Sequence, residues 1–577
     1  MKRKYHILSI IISAVLLAGC LSACGESSTT GGSSSDENTA AAVTTPDTTA
    51  DVEAPDVSGA TTIALSGQSA TATGTGAEVT DGMVTITAGG TYVVTGTMTE
   101  GRILVNVPKE EVTLVLQDAS ITCSTGSPLY VYKSKATTLY LTEGTASTLT
   151  DGTDYTFSDS YSSAEEEEPN ACLYSKSDLV IAGSGSLTVN ANYNNGITGK
   201  DTLFIQKASV TVNAVNHGIN GKDSLTIKDA DITVTSGGDA LRSTNDSDTT
   251  LGYLVITGSA LKLTAGEDGI QAETTLTISG GTATVTTAGG AGQSISDDIS
   301  AKGLKAGTQV TVTGGTFQLN CRHDAIHSNG DVTISGGSFT IATGDDGMHA
   351  DDTLSISSGT IDITRSYEGL EGAKVLISGG KISIVASDDG INAAGGSDQS
   401  GSGGFGFAPD AFGGSGDYLI RISGGVVTVN VSGDGIDSNG DIEVTGGELY
   451  ISGPTSNGDG TIDCDGSATI TGGIVVAAGS TGMAENFGTA STQGSILVNL
   501  SGSAGQTIAL KDSDGNILAS FTPAKAFGCV VVSAPGVAQG GTYTIAAGGA
   551  STTVTMESLI YGSGMGGFGG MGDPGNM

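Results

Sequence analysis

One short phrase recurs along this chain: an acid, then glycine or alanine, then an aliphatic, as in Asp346-Gly347-Met348 and Asp389-Gly390-Ile391. The acid is Asp239, Asp268, Asp324, Asp346, Glu368, Asp389, Asp434 or Asp459, while Asn195, His217 and Lys302 stand in its place elsewhere. Further carboxylates flank the phrase. Glu267, Asp345 and Asp388 come just before it, and Asp351, Asp352, Glu371, Asp437 and Asp463 lie a few residues after it. If successive phrases stack, their carboxylates come within about 5 Å of one another. Like charges that close raise each other's pKa unless a proton or a cation neutralises them. Asp-Gly is a good turn dipeptide and explains each corner singly, but a turn does not require the extra acids. A hard cation with about seven oxygen ligands does. The expectation is Ca2+, held by Asp239, Asp268, Asp324, Asp345, Asp346, Glu368, Glu371, Asp388, Asp389, Asp434, Asp437, Asp459 and Asp463.

The position two after the small residue is also polar: Asn220, Arg242, Gln271, Lys305, His327, His349, Glu371, Asn392 and Asp437. His327 and His349 should be neighbours, a pair that could hold a transition metal or a hydroxyl, although solvated surface histidines are the commoner outcome. Calcium-assisted β-elimination on a uronate needs an Arg or Lys base. The best single candidate is Arg322, beside His323 and Asp324; a scattered arginine on so acidic a protein is more often an ion pair. Paired carboxylates for glycoside hydrolysis abound, which makes that signal uninformative.

The elements that position these groups follow from the spacing. The small residues are Gly196, Gly218, Ala240, Gly269, Gly303, Ala325, Gly347, Gly369, Gly390, Gly435 and Gly460, and the steps between them are 22, 22, 29, 34, 22, 22, 22, 21, 45 and 25 residues. A unit near 22 indicates a solenoid. Each unit holds short alternating strands around a Gly-Gly or Ser-Gly turn, as at 332–341 and 276–285, and no window outside the first residues has helical periodicity. The fold expected is all-β, a parallel β-helix of about 22 residues per coil with β-rich caps at both ends. Its inward column would be Ile197, Ile219, Leu241, Ile270, Leu304, Ile326, Met348, Leu370, Ile391 and Ile436. An antiparallel sandwich explains the composition but not the constant step.

The 577 residues carry 61 acids against 23 bases, a formal charge of −38 with no basic patch, which excludes nucleic acid as a partner. Residues 1–24 read as a targeting segment: Lys2, Arg3 and Lys4 precede an apolar run. Leu17-Ala18-Gly19-Cys20 and Leu21-Ser22-Ala23-Cys24 both resemble the bacterial lipoprotein cleavage box, which implies membrane attachment through a lipidated Cys24 or Cys20 at the outer face of the cell. Residues 25–60 read as a Ser/Thr/Ala-rich tether, 61–170 as the N-terminal cap, 171–493 as coils, 494–561 as the C-terminal cap and 562–577 as a Gly-rich tail. Insertions near 242–252, 289–302 and 394–417 break the period. The first carries polar groups, the second Asp297 and Asp298, and the third Phe405, Phe407 and Phe412, which could stack on sugar rings or fold back onto the wall. Cys123, Cys172, Cys321, Cys464 and Cys529 show no metal-ligand spacing and read as small buried hydrophobes, with one disulfide left open.

The Asp-Gly-Ile corners, the segment 172–179, the stretch Ser300-Ala301-Lys302-Gly303-Leu304-Lys305 and the segment 511–516 resemble a family of clostridial-type cell-surface carbohydrate-binding proteins, often lipoproteins. The resemblance covers about 61–556. It implies a right-handed, single-stranded parallel β-helix like that of pectate lyases, bound calcium, and a plant-wall or acidic polysaccharide as partner. The function expected is extracellular, calcium-dependent polysaccharide binding by a monomer, with pectate-type lyase action as the alternative.

Overall fold

The computed structural model describes residues 50–294, 296, 299–394 and 417–562, all but Ala50 within one unit spanning Asp51–Met577. The leader with Cys20 and Cys24, most of the tether, Asp297, Asp298, Phe405, Phe407, Phe412 and the tail beyond Gly562 lie outside the described residues. No helix among them is long and apolar enough to cross a membrane. All-β is correct: 45 strands join in one continuous sheet, and four more form a second, antiparallel sheet.

The chain circles a main core, and most strands of the large sheet pair in parallel with a strand about one repeat away. Ile326–Ser328 lies against Leu304–Ala306 on one side and Met348–Ile356 on the other. Strand register stacks Ile197, Ile219, Leu241, Ile270, Leu304, Ile326, Met348, Leu370, Ile391 and Ile436 in one inward file, each 0% exposed. Phe317 and Phe339 stack face to face on another wall of the same core, with centroids 4.7 Å apart. Because side chains alternate across a strand, the residue after each inward aliphatic points outward. The register therefore also aligns Asn220, Arg242, Gln271, Lys305, His327, His349, Glu371, Asn392, Asp437 and Asp463.

The expected right-handed, single-stranded parallel β-helix with β-rich caps, and with it the pectate-lyase-like label, is corrected by this topology. The sheet is one closed, mixed β-barrel wall with extra strands. Thr275–Thr287 pairs at one end with Tyr253–Thr257 and at the other with Ala260–Ala265, so a single long strand joins neighbouring faces. The region expected as an N-terminal cap is mostly wall. Gly90–Met98 pairs in parallel with Glu111–Cys123, and Leu129–Lys133 with Ala171–Ser175; only the pairs Thr61–Gly67 with Ser69–Thr73 and Ala77–Thr80 with Met83–Ile86 are antiparallel there. These circuits lack the acid-Gly-aliphatic corner, which is why their periodicity does not appear in the sequence. At the other end Cys529–Ser533 runs antiparallel to both Ile474–Gly479 and Ser495–Val498. Ile508–Lys511, Ile517–Phe521, Thr542–Ala547 and Ala550–Thr555 build the second sheet over a core of its own. The five cysteines among the described residues are free, four of them buried. Glu168 is buried and paired with Lys176 at 2.6 Å and Lys200 at 2.8 Å.

The small corner residue is fixed by packing. A Cβ at Gly369 would sit 2.3 Å from the Gly390 carbonyl oxygen and 2.4 Å from Ile384 Cγ2. Gly369→Leu should therefore destabilise the protein by about 1–3 kcal/mol through overpacking, read as a lower denaturation midpoint. An unchanged midpoint would show that the circuits are not in close contact at this corner.

Candidate functional site

At each corner a backbone N–H faces the preceding circuit and needs an acceptor there. The acid of the phrase supplies it. Asp239 Oδ1 accepts from Asp268 N at 3.0 Å, Asp268 Oδ1 from Lys302 N at 2.8 Å, and Asp324 Oδ1 from Asp346 N at 3.2 Å. Asp346 Oδ1 accepts from Glu368 N at 3.2 Å, and Asp389 Oδ1 from Asp434 N at 2.5 Å. Asp434 Oδ1 accepts from Gly460 N. Two of the exceptions in the sequence do the same work: Asn195 Oδ1 accepts from His217 N at 3.2 Å, and His217 Nδ1 from Asp239 N at 3.0 Å. At these positions the side chain serves as an acceptor rather than as a charge, a role the sequence reading missed. The asparagine and histidine in the series were the signal for it. Lys302, which cannot accept, instead pairs with Asp324.

The second carboxylate oxygen decides the electrostatics, and here the file divides. In its first half the outward column supplies bases. Asp239 Oδ2 meets Arg242 Nη1 at 3.4 Å, and Asp268 Oδ2 meets Lys305 Nζ at 3.1 Å. Asp324 Oδ2 meets Lys302 Nζ at 2.5 Å and His327 Nδ1 at 2.8 Å. Asp324 is fully buried, which alone would raise its pKa, yet Lys302 and His327 hold it well below the usual carboxylate range. Of the expected metal ligands, Asp239, Asp268 and Asp324 therefore already have cationic partners.

The middle of the file is shared. His327 and His349 stack with centroids 4.8 Å apart, as their spacing predicts, but both are buried. His349 Nδ1 is hydrogen-bonded to Glu371 and lies 3.5 Å from Asp346 Oδ2, while its Nε2 is 3.0 Å from Asp351 Oδ1. Burial disfavours the imidazolium, but the Asp346 and Glu371 carboxylates outweigh it and lift His349 to about 12. Asp345 joins Asp324 and Asp346 in one cluster of possible ligand atoms.

In the last part of the file, among the described residues, no Lys or Arg pairs with Glu368, Asp388, Asp389, Asp434, Asp459 or Asp463. Glu368 is raised to about 8 by burial and Glu371, with Asn392 Nδ2 donating to it at 3.0 Å. Burial and the charges of Asp388 and Asp434 raise Asp389 to about 9. Burial, with Asp463, Asp437 and Asp459 nearby, raises Asp434 to about 7. Burial also raises Asp463. Ligand oxygens of Asp389, Asp434 and Asp437 lie within 4.8 Å of one another. Gly433 leaves room for this: a Cβ there would be 2.3 Å from Asp389 Oδ1 and 2.6 Å from Asp388 Oδ1. Asp459 Oδ2 instead takes the Ser456 hydroxyl at 2.6 Å. A donor set of oxygens alone, with no Lys or Arg against Asp389 or Asp434 among the described residues, fits a hard divalent cation, whereas the first half of the file does not.

Tyr367, also missed in the sequence, lies between Asp345 and Asp388 on adjacent circuits: its N–H donates to Asp345 O at 2.7 Å, and its carbonyl accepts from Asp388 N at 3.0 Å. Its ring is 37% exposed and its hydroxyl reaches the Asp388 carboxylate. Arg322 lies at the same face. Its Nε is buried without a hydrogen-bond partner, and its guanidinium covers Gly344, where a Cβ would meet Nη1 at 2.8 Å.

Two measurements follow from this division. Lys302→Ala would strand the buried Asp324 charge and should cost about 3–5 kcal/mol, while Lys302→Met combined with Asp324→Asn should cost much less; equal losses would contradict the pairing. Glu368, Asp389 and Asp434 have folded-state pKa values above the unfolded value of about 4, so the folded state binds more protons between that value and about 7–9. Stability present at pH 4–5 is then lost as pH rises through that window, and His349, also raised, acts in the same direction above its unfolded value of about 6.5. In chelator the thermal midpoint should fall from pH 5 to pH 9, and calcium should restore it at pH 9 while changing little at pH 5. A calcium effect equal at both pH values would contradict this reading.

Residues 80–347 match the family model described as "Carbohydrate-binding domain-containing protein". The match ends at the Asp346-Gly347 corner, before the acid-rich part of the file. A protein of the same description from Acetivibrio thermocellus is 39% identical over 204 residues, 35% of this chain and 70% of that protein. A solved structure titled "Structure of the polysaccharide lyase-like protein from C. thermocellum, Gadolinium derivative" is 34% identical and covers 40% of this chain and 92% of its own, with a TM-score of 0.38, too loose a superposition to carry fold or function. The expected lipoprotein signal and lipid anchor find no support in the fold or in the matched family. On the A. thermocellus relative, the chain belongs to the family of carbohydrate-binding domain-containing proteins.

Proposed function

We infer that the outward face running from His327 to Asp463 binds polysaccharide, and that its acid-rich end takes up calcium and through it the carboxylates of a uronate-containing polymer. Family membership supports a carbohydrate partner. The oxygen cluster of Asp389, Asp434 and Asp437, with Asp388 and the exposed Tyr367 ring beside it, carries the finer reading. A surface this acidic repels an anionic polymer unless a divalent ion lies between them. The tyrosine offers a flat amphipathic ring to the apolar face of a sugar while its hydroxyl lies near the Asp388 charge. A polymeric partner of this kind places the face outside the cell.

A second reading rests on Arg322. Its guanidinium lies over Gly344, next to the cluster of Asp324, Asp345 and Asp346. β-Elimination on a uronate requires a base beside a divalent cation; Arg322 offers the base, while Asp324 of this cluster is already neutralised by Lys302 and His327.

Polygalacturonate retention by the full chain should be lost in chelator and restored by calcium. It should weaken roughly tenfold in Tyr367→Ala, the scale of a buried aromatic contact, and at least as much in Asp389→Asn combined with Asp434→Asn. Retention that ignores chelator would remove the calcium bridge from the account. Calcium-dependent growth of ultraviolet absorbance from unsaturated ends, abolished in Arg322→Ala, would establish the lyase reading; retention without it leaves binding alone.

A further inference from the structure

We propose that Asp346, His349 and Glu371 form a binding site for a divalent transition-metal ion of the zinc class, separate from the oxygen-only corner at Asp389. Three observations converge. Asp346 is fully buried, and its Oδ2 has no hydrogen-bond partner, although its Oδ1 is satisfied by Glu368 N. That oxygen faces His349 Nδ1 at 3.5 Å, and ligand atoms of Asp346, His349 and Glu371 all lie within 4.8 Å of one another. Three donors on one ion, each about 2.0–2.2 Å from it, fall within such a spread.

The third observation concerns the histidine's other nitrogen. His349 Nε2 lies 3.0 Å from Asp351 Oδ1. A carboxylate only accepts, so Nε2 donates to Asp351 and Nδ1 to Glu371; an ion entering between Asp346 and Glu371 would take the place of the Nδ1 hydrogen while Nε2 keeps its own. A ligating histidine is commonly held this way, with a carboxylate on the far ring nitrogen fixing the tautomer and the ring's orientation. Stacking on His327 fixes the ring plane as well. Strand register places His349 directly beside Glu371, and Asp346 sits in the corner just before the strand Met348–Ile356, its Oδ1 tied to Glu368 N. One imidazole with two carboxylates selects a transition ion over calcium, which favours oxygen alone. Glu371 is half-buried and gives the ion a route from solvent.

The test titrates the metal-stripped full chain with Co2+ under excess Ca2+, which saturates the oxygen-only corner, and reads visible absorption and stoichiometry. The expected result is uptake of one equivalent with nitrogen and oxygen ligation, displaced by Zn2+. It should be lost in His349→Gln and in Glu371→Gln and weakened about 10–100-fold in Asp351→Asn. Circular dichroism confirms folding of each variant, and Glu371→Gln, altered nearer the surface, carries the test if His349→Gln does not fold. No uptake under calcium, or uptake unchanged in a folded His349→Gln or Glu371→Gln, overturns the proposal. Neither result depends on whether the protein binds a polysaccharide.

Discussion

The structure depends on a hydrogen bond repeated from circuit to circuit: the corner amide of one circuit given to a side-chain acceptor of the circuit before it. A buried N–H left unpaired costs about 1–3 kcal/mol, and a bond to a charged acceptor contributes about 1.5–3 kcal/mol, so a carboxylate is the strong choice at each corner. Repeating that choice stacks negative charge along one edge of a closed wall whose interior is aliphatic. Every unusual electrostatic feature of the protein descends from this conflict between backbone satisfaction and like-charge crowding.

The chain resolves the conflict in two ways. From Asp239 to Asp324 the neighbouring outward column places Arg242, Lys305 and His327, and the file itself Lys302, against the second carboxylate oxygen, so the charge is cancelled within the protein. From Glu368 onward that column turns to Asn392, Asp437 and Asp463, and among the described residues no Lys or Arg meets Glu368, Asp389 or Asp434, which are left to protons or to a bound cation. The first solution makes a rigid strut. The second makes a surface whose charge responds to pH and divalent ions, at the end of the face where Tyr367 is exposed.

Much of this was legible in the sequence, because a repeat near 22 residues stacks like on like: the inward aliphatic file and the neighbouring histidines follow from spacing alone. The wall's extent was not. Circuits between Gly90 and Ser175 pair in parallel without the corner phrase, and a reading anchored on that phrase assigns them to a cap. The antiparallel closure by Cys529–Ser533 depends on tertiary pairing that no local pattern announces. The acidic file was visible, but its division was not, since one charge pattern along the chain cannot reveal which carboxylate oxygen faces an amide and which faces a lysine two circuits' worth of sequence away. Tyr367 stands alone in its column and carries no periodic signal.

The central claim is that only part of the acidic file calls for an ion. Diffraction from calcium-soaked crystals, with the anomalous signal used to place the ion, tests it directly. The account predicts a peak bounded by Asp389, Asp434 and Asp437 and none among Asp239, Asp268 and Asp324; a peak in that first group, or an empty Asp389 corner at saturating calcium, would contradict it.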